Sequence, residues 1–250
     1  METEQNFSVS VTANRLAFGS NILFENVDFI LKKNEWTCLL GPSGVGKTTL
    51  LRIIADLIPG MKNILINCSD NKPIYGRTSY MAQDDLLLPW LNVLDNILLG
   101  FKLRSEQADK NKARELIEMV GLTSNIYDLP AKLSGGMRQR VALVRTIMED
   151  RPVVLMDEPF SNLDAITRVR MQDIAAELLN DRTVLLITHD PMEALRLGDC
   201  IYILSGRPVK FTAPIIPEGL RPRSMTDTRL IKEQANLLLQ LSRASKLDLK

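Results

Sequence analysis

A chain of 250 residues with 45% hydrophobic and 24% charged side chains is long enough to bury a real core, in one large domain or two small ones. Its formal net charge of +1 gives no support to nucleic-acid binding, which rests on a basic face. No apolar run approaches the roughly 20 residues that span a bilayer, and the stretch from Met1 to Phe7 lacks the basic and apolar regions of a secretory signal, so any membrane-spanning part must come from a partner.

Along the chain, Phe7, Val9, Val11 and Ala13 alternate with polar residues, and Val27, Phe29 and Leu31 repeat the pattern. The pair reads as antiparallel strands with polar outer faces. Trp36–Leu40 is a short apolar run ending at Gly41, and a helix begins near Lys47. Between them, Gly41-Pro42-Ser43-Gly44-Val45-Gly46-Lys47-Thr48, followed by Thr49, fits the spacing of a phosphate-binding loop. Glycines let backbone fold around an anion without side-chain clash, and the helix start adds partial positive charge. Lys47 can reach the β- and γ-phosphates of a nucleotide, and the Thr48 hydroxyl can bind Mg²⁺.

Residues 60–75 are strand-and-turn material, punctuated by Gly60, Asn63, Asn71 and Pro73, and Thr78–Ala82 is a further strand candidate. From Asp84 to about Glu149 the chain becomes helix-rich. Ala113, Leu116, Ile117 and Val120 share one helical face, closed by Gly121. A second helix starts at Ser134, a suitable N-cap, and Gly135 and Gly136 make that helix start a second potential anion site. In isolation, a plain capped helix with basic residues covers 133–140 as well.

Strand character returns at Val153–Met156, Thr183–Thr188 and Cys200–Leu204, with helical segments between. This alternation predicts an α/β fold, a parallel sheet with helices on its faces. The first of these strands ends in two acids. Asp157 suits Mg²⁺ coordination, and Glu158, placed on the opposite face by strand alternation, can polarise an attacking water. His189, the single histidine, follows the next strand, where it would face the γ-phosphate. Cys38, Cys68 and Cys200 lie far apart without metal-type spacing and read as reduced thiols, two of them in strand-like runs. The tail from Pro214 is a proline-rich loop followed by an amphipathic helix with Leu230, Ile231, Leu237, Leu238 and Leu241 on one side.

Taken together, Leu133-Ser134-Gly135-Gly136-Met137-Arg138-Gln139-Arg140 upstream of Asp157 resembles the signature motif of ATP-binding-cassette (ABC) ATPases. Gln83 resembles the Q-loop glutamine, Ser161-Asn162-Leu163-Asp164 the D-loop, His189 the switch histidine, and Phe18 the aromatic that stacks on adenine. Many members carry Ala where this chain has Asn162, and usually Tyr where it has Phe18. The resemblance spans about residues 7–212. It implies a P-loop NTPase (RecA-like) core with a mixed sheet, an antiparallel β-subdomain and a helical subdomain inserted at about 84–149. The ATPase domain would cover 1–213, and the loop and helix 214–250 would follow it.

The resemblance also implies a head-to-tail homodimer. ATP and Mg²⁺ would lie between Gly41–Thr49 of one chain and Ser134, Gly135, Gly136 and Asp164 of the other. Glu158, His189 and Gln83 would be catalytic, and Thr48, Gln83 and Asp157 would serve the metal. Leu86–Ile97 and 148–164 resemble the nitrate/sulfonate/taurine importer branch. Within it, 148–170 and Arg221-Pro222-Arg223 look closest to ATPases assigned to uptake of the thiamine precursor hydroxymethylpyrimidine. Transmembrane permease subunits, with a solute-binding protein acting indirectly, would be the partners, at the cytoplasmic face of the inner membrane. The apolar run Leu86–Leu94 is a candidate docking surface for the permease, and ordinary core packing explains it equally. A DNA-repair ABC ATPase would need a long coiled coil between Lys47 and Leu133, and there is no room for one. A cytosolic nucleotide kinase would not need the 133–140 motif. A non-hydrolysing regulatory subunit would lack Lys47, Glu158 or His189, and all three are present.

Overall fold

The structure, a computed structural model, describes residues 6–18, 21–58 and 63–247. The alternating N-terminal segments form β1 (Val9–Phe18) and β2 (Asn21–Leu31), antiparallel in the register Val9↔Leu31 to Phe18↔Asn21 with a shift between Leu16 and Ala17. The runs that follow give β3 (Trp36–Leu40), α1 (Lys47–Ile54), β4 (Leu65–Cys68) and β5 (Thr78–Met81). The helix-rich stretch holds α2 (Val93–Ile97), α3 (Leu99–Leu103), α4 (Lys110–Met119) and α5 (Gly135–Met148). Then come β6 (Val153–Asp157), α6 (Ala165–Leu178), β7 (Thr183–Ile187), α7 (Pro191–Leu197), β8 (Cys200–Ser205), β9 (Lys210–Phe211) and α8 (Thr228–Leu247).

Two sheets result. β1 is flanked by β2 and β4 in a three-stranded antiparallel sheet. The other runs β5-β6-β7-β3-β8-β9 and is parallel except for β9. Every residue of β3, β6 and β7 is buried, as expected of parallel strands covered on both faces. Alternation sends successive side chains to two different cores. Cys38, Leu40, Val154, Met156, Val184 and Leu186 pack toward the helices. Leu39, Val153, Leu155, Leu185 and Ile187 pack with α1 and the antiparallel sheet.

Local signals account for the helix ends. Asp109, Ser134, Asp164 and Asp190 each accept backbone N–H bonds at the start of α4, α5, α6 and α7. Gly121, at φ 69°, follows α4 as its sequence position predicts. No helix among the described residues is long and apolar enough to cross a membrane.

The structure corrects three sequence expectations. All three cysteines, not two, lie in strands, and each is buried and free. On α8 the buried stripe is Leu230, Leu237 and Ala244, while Ile231 and Leu238 are half exposed, because each sits one residue, about 100°, off that stripe. The Leu86–Leu94 run divides: Val93 and Leu94 enter the core through α2, whereas Leu86 and Trp90 are exposed, 61% and 71%.

The tail is tied down by its two arginines. Arg223 is buried and donates to the carbonyls of Leu195, Gly198, Pro217 and Glu218. Arg221 pairs with Asp199, donates to the carbonyls of Asn34 and Asn180, and lies over the Trp36 ring.

Candidate active site

β6, β7 and β3 lie side by side, so their carboxyl ends bring Asp157–Glu158, Thr188–His189 and Gly41 to one edge, where ligands of parallel sheets bind. Two glycines shape the loop after β3. A Cβ at Gly41 would lie 2.7 Å from the Leu204 carbonyl oxygen. Gly46 has φ 105°, and a Cβ there would stand 3.1 Å from Leu23 and 3.2 Å from Phe24. Ser43 and Gly44 form the exposed tip, with Pro42 partly exposed and Val45 buried beneath. Gly46 precedes α1, so Lys47, Thr48 and Thr49 form its first turn, where free N–H groups and the helix dipole favour anions.

Lys47 is buried, and its Nζ donates to the carbonyls of Gly41 (2.7 Å) and Pro42 (2.9 Å). Burial pushes its pKa down, and Glu158 and Asp157 pull it back up. Asp157 is 1% exposed. Burial raises its pKa, the Thr48 hydroxyl pulls it down, and Glu158 raises it further. Its Oδ2 has no hydrogen-bond partner among the described residues. A buried, unpartnered carboxylate oxygen beside a threonine hydroxyl is a hard-oxygen donor set and fits Mg²⁺.

Glu158 does not reach its position by strand alternation, as the sequence suggested. β6 ends at Asp157, and Glu158 adopts left-handed backbone, φ 49°, with its N–H still paired to the Ile187 carbonyl at 2.9 Å. Such a conformation is uncommon for a residue with a Cβ and has to be held by its surroundings. Here the holding groups are Gln139, whose Nε2 donates to the Glu158 carbonyl at 3.0 Å, and Ser161, whose hydroxyl donates to the same oxygen at 3.1 Å. The turn aims the carboxylate at His189, with 3.0 Å between Oε2 and Nδ1. His189 itself is exposed.

Gln83 lies exposed just past β5, whose Met81 pairs with Met156 on the Asp157 side of the sheet. The second glycine-flanked helix start faces outward. Ser134 and Gly135 are exposed, and the Ser134 hydroxyl accepts the Met137 N–H at 3.2 Å. Gly136 packs against 162–163, where a Cβ would meet the Asn162 carbonyl oxygen at 3.3 Å. Asp164 is spent in part on capping α6 through the Thr167 N–H, and its bonds to Thr167 lower its pKa. The Phe18 side chain lies outside the described residues.

Sequence reasoning missed Gln139. Buried at 3% exposure on α5, it bonds the Glu158 carbonyl with its amide nitrogen and accepts the Asn162 N–H at 2.8 Å. It therefore fixes α5 to both the acidic turn and the loop before α6. The sequence offered two signals, its place in the 133–140 motif, where it was given no role of its own, and a polar residue on what proves a buried helix face. Two further residues of α5 hold the loop after Gln83. Arg138 pairs with Asp85 at 2.9 Å, and Arg145 donates to the carbonyls of Asp85 (2.6 Å) and Leu86 (2.9 Å), where Leu86 has φ 46°.

The family model described as ABC transporter matches residues 24–161. The chain is 39% identical to an aliphatic sulfonates import ATP-binding protein of Pseudomonas savastanoi pv. phaseolicola, over 94% of this chain and 97% of that one. It is 43% identical to an uncharacterized ABC transporter ATP-binding protein of Haemophilus influenzae, over 90% and 95%. A solved dimeric ATP-binding cassette in a post-hydrolysis state with ADP and phosphate matches at TM-score 0.73 and 25% identity, over 85% of this chain and all of that one.

Proposed function

The chain belongs to the ABC transporter family, and on that premise we propose that it is the ATP-hydrolysing subunit of an importer for a small organosulfonate. One arrangement carries the assignment. The Lys47 loop, the buried Asp157, and the Glu158–His189 pair share the carboxyl edge of three adjacent strands.

Gly41–Thr49 bind the ATP phosphates, with Lys47 exchanging its two carbonyl partners for phosphate oxygens. Thr48 and Asp157, assisted by Gln83, would hold Mg²⁺, which when bound neutralises charge on the phosphates. Glu158 orients and polarises the attacking water, and His189, hydrogen-bonded to it, faces the terminal phosphate. Catalysis is then positioning plus charge stabilisation. Ser134, Gly135 and Asp164, exposed on their own chain, meet the nucleotide of a second copy in a head-to-tail dimer, and the dimeric cassette of similar fold supports that arrangement. Phe18 is assigned to the adenine. The ATPase domain spans 1–213, with helical subdomain 84–149 and a C-terminal segment 214–250.

A permease supplies the membrane-spanning part, fed by a solute-binding protein, and the subunit works at the cytoplasmic face of the membrane. The exposed pair Leu86 and Trp90 is the proposed docking surface. The sulfonate class follows the relatives that serve import of aliphatic sulfonates. Arg221 and Arg223 hold the tail to the core. In vesicles carrying a sulfonate permease, the chain should hydrolyse ATP faster when solute-binding protein and an alkanesulfonate are present. Stimulation by hydroxymethylpyrimidine with its own permease, and none by sulfonate, would reassign the solute.

A further inference from the structure

We infer that Glu193 is a positioning residue for His189, anchoring the Thr188–Asp190 turn from behind through the Thr188 hydroxyl. The inference rests on the hydrolytic role proposed for Glu158 and His189.

Glu193 is in the first turn of α7 and is 4% exposed, an unusual place for an acid. It takes no part in the contacts assigned above to nucleotide or metal. Two side chains face its carboxyl, Thr188 from the turn and Gln172 from α6. The Thr188 hydroxyl faces its carboxyl across the recess that both residues line and holds its pKa down. The same hydroxyl oxygen accepts the Asp190 N–H at 3.0 Å, which leaves the hydroxyl proton for Glu193. From α6, Gln172 Nε2 donates to Glu193 Oε2 at 3.1 Å. The orientation of that amide is set on its other side, where Gln172 Oε1 accepts from Arg196 at 2.8 Å and Arg196 pairs with Asp173. The remaining oxygen, Oε1, is buried with no partner among the described residues. Glu193 also lines a recess shared with Glu158, Ser161, Arg168, Thr188 and His189. His189 is thus the exposed middle residue of a turn whose two neighbours are both held from the buried side, Thr188 by Glu193 and Asp190 by the α7 N–H groups and Arg168.

The titratable and charged groups facing Glu193 are Asp190 on its own helix, Arg168 on α6 and Cys38 on β3, with Glu158 and His189 across the recess. Burial pushes its pKa up to about 8, Thr188 and Gln172 resist this by hydrogen bonding, and Asp190 adds to it. The neutral acid is therefore the form that fits the site near neutral pH. Because the folded pKa is above the unfolded value, the stabilisation is complete below about 4.5 and is lost as pH rises through about 8. Ionisation would set a buried negative charge behind the turn, next to the partly exposed Asp190.

The test is steady-state ATPase activity of the full-length chain with Mg²⁺, measured from pH 6 to 9.5. Glu193→Gln, which keeps a neutral acceptor for Thr188, should retain turnover near neutrality and lose the alkaline decline that the parent shows around pH 8. Glu193→Ala should lower kcat by about ten- to a hundredfold while leaving the KM for ATP nearly unchanged. An alkaline limb identical in Glu193→Gln and parent overturns the proposal, as does a parent-like kcat in Glu193→Ala. Should the alanine variant not fold, the glutamine pH profile decides alone. A Glu158→Gln variant run beside them separates the two levels: undiminished hydrolysis there defeats the hydrolytic role itself, whatever Glu193 does.

Discussion

Glu158→Gln should bind MgATP as the parent does and hydrolyse it about 10²- to 10⁴-fold more slowly, the range expected when a positioned acid–base group is removed. The substitution is nearly isosteric, and the bonds that hold residue 158 in its left-handed turn are all made by its backbone. Its N–H reaches Ile187, and its carbonyl accepts from Gln139 and Ser161. The turn therefore survives, and only the carboxylate beside His189 is lost. With hydrolysis blocked and both helix starts intact, ATP should hold two copies together. Phosphate release and size-exclusion chromatography with and without ATP report the two effects. A variant that hydrolyses at the parent rate would remove Glu158 from the catalytic role, and an ATP-independent monomer would favour a kinase-like enzyme.

The second large effect is at Lys47. Its ammonium is buried under the loop and already makes two charge-assisted bonds, to Gly41 and Pro42. Bonds of this kind to phosphate oxygens contribute about 1.5–3 kcal/mol each, so losing two of them weakens ATP binding by about a hundredfold or more. Lys47→Ala also strips the buried Asp157 and Glu158 of a nearby cation. The carboxyl of Asp157, already raised by burial, should rise further, which weakens the metal site as well. Nucleotide titration by intrinsic fluorescence or calorimetry measures the loss. Parent-like affinity in Lys47→Ala would mean that the Gly41–Thr49 loop does not hold the phosphates.

The parts of this molecule that were legible in its sequence are those whose chemistry is local. The loop 41–48 declares itself because glycines, lysine and threonine act within one turn of chain, and the buried strands do so because both faces must be apolar. Helix caps such as Ser134 belong to the same class. What escaped notice depends on partners distant in sequence. Gln139 matters through the carbonyl of Glu158, and Glu193 through Thr188 and Gln172. A polar residue destined for burial looks, in sequence, like one destined for solvent. The orientation of Glu158 failed for another reason: strand alternation was extended one residue beyond the last residue of β6. On α8, five apolar residues were grouped where the helix can bury only one narrow stripe, so Ile231 and Leu238 were misplaced.

The grip of α5 on the segment after Gln83 has a mechanical result. Arg145 holds two successive carbonyls there, of Asp85 and Leu86, and Arg138 holds the Asp85 carboxylate, beside the left-handed backbone of Leu86. A displacement of Asp85 or Leu86 is therefore shared with α5. It is delivered along a fourteen-residue rod to the end where Ser134 stands, in the manner of a lever with its load at the far tip.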